Sequence, residues 1–391
     1  MTTVEPTRGF PVEEFERRTA RAQAMMVEAG LGVLLLTTEP EVRYFTGYLT
    51  QFWQSPTRPW FVVVPAAGKP VAVIPTIGVE CMRRTWIEDI RTWSSPYPAD
   101  EGISLLASTL VELVGHTARI GVPMGPETHV RMPMNDYARL GEIVDRMHFI
   151  DATSIIRGLR MVKSAAEIEK ISNVCTMVSD VFGTWPDTLH VGMTEIEIFR
   201  SFKIACLERG VDDVAYLVGG AGPGGYRDII SPPSTRSVER GDVLILDTGA
   251  VFDGYFCDFD RNWAFGMAGP AVADAYELVY EATEAGFTAA QPGACCADVF
   301  NAMQSVMEKA GALGNNVGRL GHGLGMQLTE SPSNTASDRT ELVPGMVLTL
   351  EPGMTFAAGR LMVHEENIVI EENGPRYLTR RASPTLPVID A

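Results

Sequence analysis

One stretch constrains this chain more than any other: Leu244-Ile245-Leu246-Asp247-Thr248-Gly249-Ala250-Val251-Phe252-Asp253-Gly254-Tyr255-Phe256-Cys257-Asp258-Phe259-Asp260. It reads as a β-hairpin, with Asp253-Gly254 as a type I′ turn between β-rich flanks. A turn there sets Asp247 opposite Asp260 and Gly249 opposite Asp258. Strand side chains alternate, so Asp247, Asp258 and Asp260 project to one side. Directly opposed Cβ atoms lie about 5 Å apart. Like charges that close repel unless something compensates, and cations are the simplest compensators. Gly249 opposite Asp258 leaves room for one. A solvated acidic hairpin is the plain alternative. The apolar run Leu244-Ile245-Leu246 and the flanking Phe256 and Phe259 favour burial.

Three further segments add ligand chemistry. Gly321-His322-Gly323-Leu324-Gly325 sets a histidine between glycines, where backbone approaches closely. Leu350-Glu351-Pro352-Gly353 puts a carboxylate at the end of a strand over residues 347–351. In His364-Glu365-Glu366-Asn367-Ile368-Val369-Ile370, read as a strand, His364 and Glu366 share one face and Glu365 takes the other. The hairpin and these segments can bring together four carboxylates and one imidazole. Such a set holds two divalent ions about 3.5–4 Å apart. Mostly oxygen ligands with one nitrogen suit Mn, Fe(II), Co or Zn, and no ligand is a cysteine.

A chain of 391 residues has room for two domains. Its formal net charge of -17 leaves no basic surface for nucleic acid. The six cysteines lack C-x-x-C spacing and read as reduced thiols. No apolar run reaches membrane length, and no basic-then-apolar pattern opens the chain. The expectation is a cytoplasmic protein. Val12 to Ala29 has helical periodicity and stops at Gly30. Gly32-Val33-Leu34-Leu35-Leu36-Thr37, Tyr44-Phe45-Thr46-Gly47-Tyr48, Trp60-Phe61-Val62-Val63-Val64, Val71-Ala72-Val73-Ile74, Arg119-Ile120-Gly121-Val122 and Phe149-Ile150-Asp151 read as strands. Helical patterns over 79–86 and 104–114 alternate with them, as in an α/β domain. Ser164-Ala165-Ala166-Glu167 and Thr194-Glu195-Ile196-Glu197 are capping boxes opening two helices. Two more helices are expected over 272–287 and 297–310. The glycine-rich 218–225 lacks a following Gly-Lys-Ser/Thr, so it reads as a close-packed loop beside the site rather than a phosphate cradle. The character changes near 157–163, giving domains 1–158 and 159–391. The loop 51–60 holds Trp53, Arg58 and Trp60. It suits a substrate lid, with Trp faces for a cation and Arg58 for a carboxylate, and equally aromatic packing or a subunit contact.

The ordered motifs Asp-x-Gly, a second Asp eleven residues on, Gly-His-Gly-x-Gly, Glu-Pro-Gly and Glu-Asn-x-Val resemble those of peptidase family M24. The family includes methionine aminopeptidase, aminopeptidase P, prolidase and creatinase. The resemblance implies an α/β (α+β) protein, with a creatinase-type N-terminal domain before a C-terminal pita-bread metallohydrolase domain. It further implies a dinuclear metal site at Asp247, Asp258, His322, Glu351 and Glu366, Glu351 as ligand and general base, and a homodimer. The family's peptidases carry histidines that grip the substrate amide. Here Thr329, Ile230 and Gly318 stand at or near those places, and Asp260 stands where threonine is usual. Thr329 is therefore a candidate substrate contact, and His364 and Asp260 are candidate catalytic replacements, both expected on the metal side. The leading expectation is a hydrolase of a C–N bond in a dipeptide or similar small molecule. The alternatives are a lyase acting on a small zwitterion such as dimethylsulfoniopropionate, with Trp53 and Trp60 caging the sulfonium, and a non-catalytic binding protein of the same fold.

Overall fold

The computed structural model describes residues 6–55, 58–312 and 318–390. The chain divides into two compact units, Thr7–Arg160 and Met161–Ala391.

The first unit is built on a six-stranded mixed sheet: β1 (Val33–Leu36), β2 (Phe61–Pro65), β3 (Val71–Pro75), β4 (Asp89–Trp93), β5 (Arg119–Val122) and β6 (His148–Asp151), in the order β4-β3-β2-β1-β5-β6. β1 is central and buried on both faces, which explains its unbroken apolar run. One face packs on α4 (Ile103–Val114) through Val33, Leu35, Phe61, Leu106 and Leu110. The other helices of this region are α1 (Val12–Ala29), α2 (Glu39–Thr46), α3 (Val79–Met82), α5 (Met134–Ile143) and α6 (Thr153–Met161). Residues 44–48 are not the expected strand. They close α2, which opens with Pro40 in its first turn and ends at Gly47, at φ 78°. The aromatic β-propensity of Tyr44-Phe45 yields to these end signals.

The second unit has two five-stranded sheets. One holds β7 (Asp213–Pro223), β8 (Asp242–Phe252), β9 (Tyr255–Phe256), β10 (Phe259–Phe265) and β18 (Val388–Ile389), ordered β18-β10-β8-β7 with β9 on β8. The other holds β11 (His322–Gly323), β12 (Glu330–Ser333), β13 (Val347–Leu350), β16 (Glu366–Glu371) and β17 (Gly374–Tyr377), ordered β12-β11-β13-β16-β17. β14 (Gly353–Ala357) and β15 (Arg360–Val363) form a separate hairpin. Helices α7 (Ala165–Thr184) and α8 (Glu195–Arg209) begin at the two expected capping boxes. Their Phe182 and Phe202 join Phe259 and Trp263 of β10 in one aromatic cluster. Phe259 and Trp263 thus point to the helices, and Asp258 and Asp260 point the other way. Helices α9 (Pro270–Ala289) and α10 (Cys296–Lys309) cover Leu348, Leu350, Ile368 and Ile370 of the second sheet. That leaves Thr349 and Asn367 on its opposite face. The glycine-rich 218–223 is not a loop but the end of β7. At Gly219, with φ 129°, a Cβ would lie 2.2 Å from the Ile245 carbonyl oxygen, so the sheet itself requires the missing side chain.

Gly321 sets the entry to His322. Its φ is 127°, and a Cβ there would stand 2.2 Å from the Thr349 carbonyl oxygen. Gly321→Ala is therefore expected to lower the melting temperature more than Ser164→Ala, which removes one helix cap worth about 1 kcal/mol. Thermal unfolding of both variants checks the ranking.

Candidate metal centre

The hairpin closes where the sequence places it. Asp253 and Gly254 have φ of 47° and 75°, the positive pair a type I′ turn requires. Asp260 pairs with Asp247, and Phe256 with Val251. Lys170 of α7 forms an ion pair with Asp253, and the Tyr255 hydroxyl donates to Glu167 Oε1 at 2.9 Å, fixing the turn to the helix. Asp258 is held by its backbone: its N–H donates to Asn367 Oδ1 at 2.9 Å, and the Asn367 amide donates back to its carbonyl. Gly249 is not a seat for a cation. A Cβ there would lie 2.2 Å from Leu328 Cδ1 and 3.1 Å from Tyr216 Cβ, so Leu328 already fills that space.

The second sheet brings His322, Glu351 and Glu365 to the same place. His322 Nδ1 lies 2.9 Å from the Gly323 carbonyl, which fixes the tautomer with its proton on Nδ1. Nε2 is then a bare lone pair, and it faces Asp258 Oδ2 at 3.4 Å. Burial lowers the His322 pKa to about 4, so the ring is neutral at pH 7. A lone pair facing a carboxylate at that distance needs a cation or a proton between them. One ligand atom from each of Asp258, His322 and Glu365 lies within 4.8 Å of the other two.

Glu365, not Glu366, therefore faces His322. Leu350 pairs with Glu366, and continuing that register sets Glu351 opposite Glu365. Glu366 lies on the other face with its oxygens engaged. Arg261 donates to Oε2 at 3.0 Å, Thr379 donates to the same oxygen, and the Ala382 N–H donates to Oε1 at 2.9 Å. Burial alone pushes Glu366 up, but Arg261, His364 and these donors hold it below its ordinary value. His364 is also displaced from its expected place. Its Nδ1 is 2.8 Å from Thr283 Oγ1 on α9, its Nε2 is 3.8 Å from Glu366 Oε1, and its ring packs edge-on to Tyr280. It is buried on the α9 side with Glu366. Strand alternation excludes both from the face that Glu365 occupies.

In the remaining acids the compensating pull of Arg319 and Arg261 is outweighed by burial. Burial raises Asp247 to about 8, with Glu351 adding to the rise and a hydrogen bond from Tyr216 opposing it. Burial raises Glu351 to about 7, against the pull of Arg319. Asp258 is driven well above the carboxylate range by burial and then by Asp247 and Glu351. Glu365 is driven up by burial and then by Asp258 and Glu351. Asp260 is raised by burial first and Asp247 second. Asp247 Oδ1, Asp260 Oδ2 and Glu365 Oε1 are buried oxygens without a hydrogen-bond partner. Orphaned carboxylate acceptors, with Asp258 and Glu365 beside a bare imidazole nitrogen, are the donor set a divalent cation requires. The residues present fit such an ion.

Tyr216 and Arg319 went unseen in the sequence. Tyr216 lies opposite Gly249 on β7, beside a β-bulge that no composition signal marks. Arg319 stands three residues before His322, an offset that strand and helix patterns do not weigh. Thr329 is half-buried in the segment after Gly325, while Ile230 and Gly318 are exposed. Trp53 and Trp60 lie in the first unit, 9% and 1% exposed, with their rings 6.0 Å apart. Tyr48 and Phe52 pack on Trp60, and the Arg131 guanidinium lies over Trp53. The aromatic-packing reading of the loop holds for both, and neither offers a ring face to a ligand. The Arg58 guanidinium lies over Phe52. Residues 56 and 57 of that loop fall outside the described residues.

Paired substitutions separate the two glutamates. Glu365→Gln is expected to weaken metal binding by about tenfold or more. Glu366→Gln is expected to keep the metal and lose stability, because Arg261 is left with one charge partner fewer. Metal content by elemental analysis, with melting temperature alongside, checks both; equal metal loss in the two variants would count against the assignment.

Residues 169–372 match metallopeptidase family M24, and residues 18–162 match the creatinase/prolidase N-terminal domain. The probable dipeptidase PepE of Mycobacterium tuberculosis is 29% identical over 366 residues, covering 93% of this chain and 94% of its own. A Xaa-Pro dipeptidase of Pyrococcus furiosus is 28% identical over 228 residues, covering 58% of this chain and 65% of its own. The crystal structure of dipeptidase PepE from Mycobacterium ulcerans superposes with a TM-score of 0.85 at 29% identity, over 98% of this chain and 100% of that one. The chain belongs to metallopeptidase family M24, a peptidase-like metallohydrolase with a creatinase/prolidase-type N-terminal domain and a pita-bread catalytic domain.

Proposed function

We propose that this protein is a metal-dependent dipeptidase. It hydrolyses the C–N bond of dipeptide-sized substrates, Xaa-Pro dipeptides among them. The observation that carries the reading is the convergence of Asp258, His322 and Glu365 within 4.8 Å, with the bare Nε2 of His322 aimed at a carboxylate. Relatives described as dipeptidases cover nearly the whole chain and support the substrate class. We assign Asp247, Asp258, His322, Glu351 and Glu365 as the residues that hold two divalent ions. Those ions supply Lewis-acid polarisation of a carbonyl and bring the pKa of a water toward neutrality.

The residues divide the remaining work. Glu351 doubles as general base: its carboxylate takes the proton from the attacking water and delivers it to the leaving nitrogen. The C–N bond breaks as the new C–O bond forms, so one water is consumed per bond. The Gly323 carbonyl keeps the His322 proton on Nδ1, away from the reacting side. Tyr216 orients Asp247 through its hydroxyl. With no histidine at position 329, the Thr329 hydroxyl is the donor we assign to the substrate amide. His364 has no part in this scheme, since Thr283 and Glu366 hold it on the α9 side.

Assays of Xaa-Pro and other dipeptides with Mn, Co or Zn test the proposal. Free amino acids should appear, stop with a chelator and return with metal. Glu351→Gln should lower kcat by about a hundredfold or more. Fully metal-loaded protein that cleaves no dipeptide would refute the reading. Alkene release from dimethylsulfoniopropionate, without water consumed, would favour the lyase.

A further inference from the structure

Asp260 has no place in the five-residue ligand set, yet it stands directly across the hairpin from a member of that set. It is the direct cross-strand partner of Asp247 and is 1% exposed. Directly opposed Cβ atoms lie about 5 Å apart. After burial, Asp247 is the strongest influence on its charge. Its two oxygens are treated differently. Oδ1 is tied back into the fold by a chain of donors running in one direction. The Val363 N–H donates to the Tyr226 hydroxyl oxygen at 2.8 Å, and the Tyr226 hydroxyl donates to Asn262 Oδ1 at 2.9 Å. The Asn262 amide then donates to Asp260 Oδ1 at 3.3 Å, and also to the Val363 carbonyl at 2.8 Å. Oδ2 is buried and has no hydrogen-bond partner among the described residues.

A carboxylate anchored on one oxygen and orphaned on the other is posed as a ligand. The neighbouring arginine does not neutralise it by contact, because Arg261 Nη1 donates to the Asp260 backbone carbonyl instead. Nor does it face an open binding space: Tyr226, Asn262 and Val363 wall it in. It is buried beside Asp247, so a substrate ammonium is a poor match for Oδ2 and an ion seated against Asp247 is a good one.

We propose that Asp260 is a sixth ligand of the metal centre, giving the ion position at Asp247 an all-oxygen, more anionic shell. His322 supplies the nitrogen on the other side of the cluster, beside Asp258 and Glu365. The two positions then differ in chemistry. The one at Asp247 and Asp260 favours a hard, oxygen-preferring ion such as Mn2+, and the one at His322 suits a borderline ion such as Zn2+. The inference rests on the metal-centre reading above and adds to it a departure from the threonine that the family resemblance leads one to expect.

Mn2+ titration of the metal-stripped full-length protein, followed by electron paramagnetic resonance and elemental analysis, tests it without an activity assay. Wild type should bind two equivalents. Asp260→Asn keeps the shape and the acceptor for Asn262, and Asp260→Thr restores the residue expected by resemblance. Both should retain one equivalent and bind the other about tenfold or more weakly. In chelator, Asp260→Asn should melt no lower than wild type, because it removes a buried unpaired carboxyl; that control excludes misfolding. Two equivalents bound with unchanged affinity in both variants would overturn the inference and leave the centre standing. A wild type that takes up no Mn2+ or Zn2+ would overturn the metal-centre reading itself.

Discussion

Mutual repulsion among buried carboxylates is the interaction on which the second unit depends. Asp247, Asp258, Asp260, Glu351 and Glu365 come together from two sheets; Asp258, Asp260 and Glu365 are buried, and Asp247 and Glu351 are half-buried. Two unit charges about 5 Å apart repel by roughly 3 kcal/mol at an effective dielectric near 20. Several such pairs together rival the net stability of a typical domain, about 5–15 kcal/mol. The fold cannot hold all five acids ionised without cations, and it holds them close. Coulomb's law thus leaves this packing two ways to relieve the repulsion: protons on the acids, or cations among them.

The scaffold around the acids is rigid at the points where precision matters. Asn367 bonds both backbone groups of Asp258. Gly321 admits the Thr349 carbonyl so that the His322 N–H can reach Thr349 Oγ1 at 3.1 Å. Behind Glu365, the Glu366 carboxylate is tied to Arg261, Thr379 and the backbone of Ala382. Adjacent glutamates on one strand therefore do opposite jobs: one holds the fold together, and the other is left bare. That division is an alternation effect, since neighbouring strand residues must face opposite ways.

The hairpin and its register were legible because Asp253-Gly254 has few other uses between β-rich flanks. His322 and Glu351 were legible from the glycines and the Pro-Gly that surround them. The choice between Glu365 and Glu366 was not, because two adjacent acids carry no label of face. A signal was present: Glu366 shares its parity with Ile368 and Ile370, and that stripe covers the core beneath α9 and α10. Reading the apolar stripe first would have turned Glu366 and His364 away from His322 and Glu365 toward it. Gly249 failed for another reason. Its missing Cβ makes room, but sequence does not say that Leu328, far along the chain, fills it. Trp53 and Trp60 left the choice open because a surface lid and a buried ring cluster use the same residues.

Proton release on metal binding tests most directly whether cations compensate these acids. Without metal, burial raises Asp247 to about 8, with repulsion from Glu351 adding to it, and Glu351 to about 7, so these carboxyls hold protons near neutral pH that ordinary carboxyls have lost. Binding must expel those protons. Titration calorimetry of Mn2+ into stripped protein at pH 7, in buffers of different ionisation enthalpy, should show net release of roughly one proton or more per protein, shrinking as pH passes 8. Tight binding with no proton exchanged in any buffer would show that the carboxylates were ionised and compensated already, and would contradict the account.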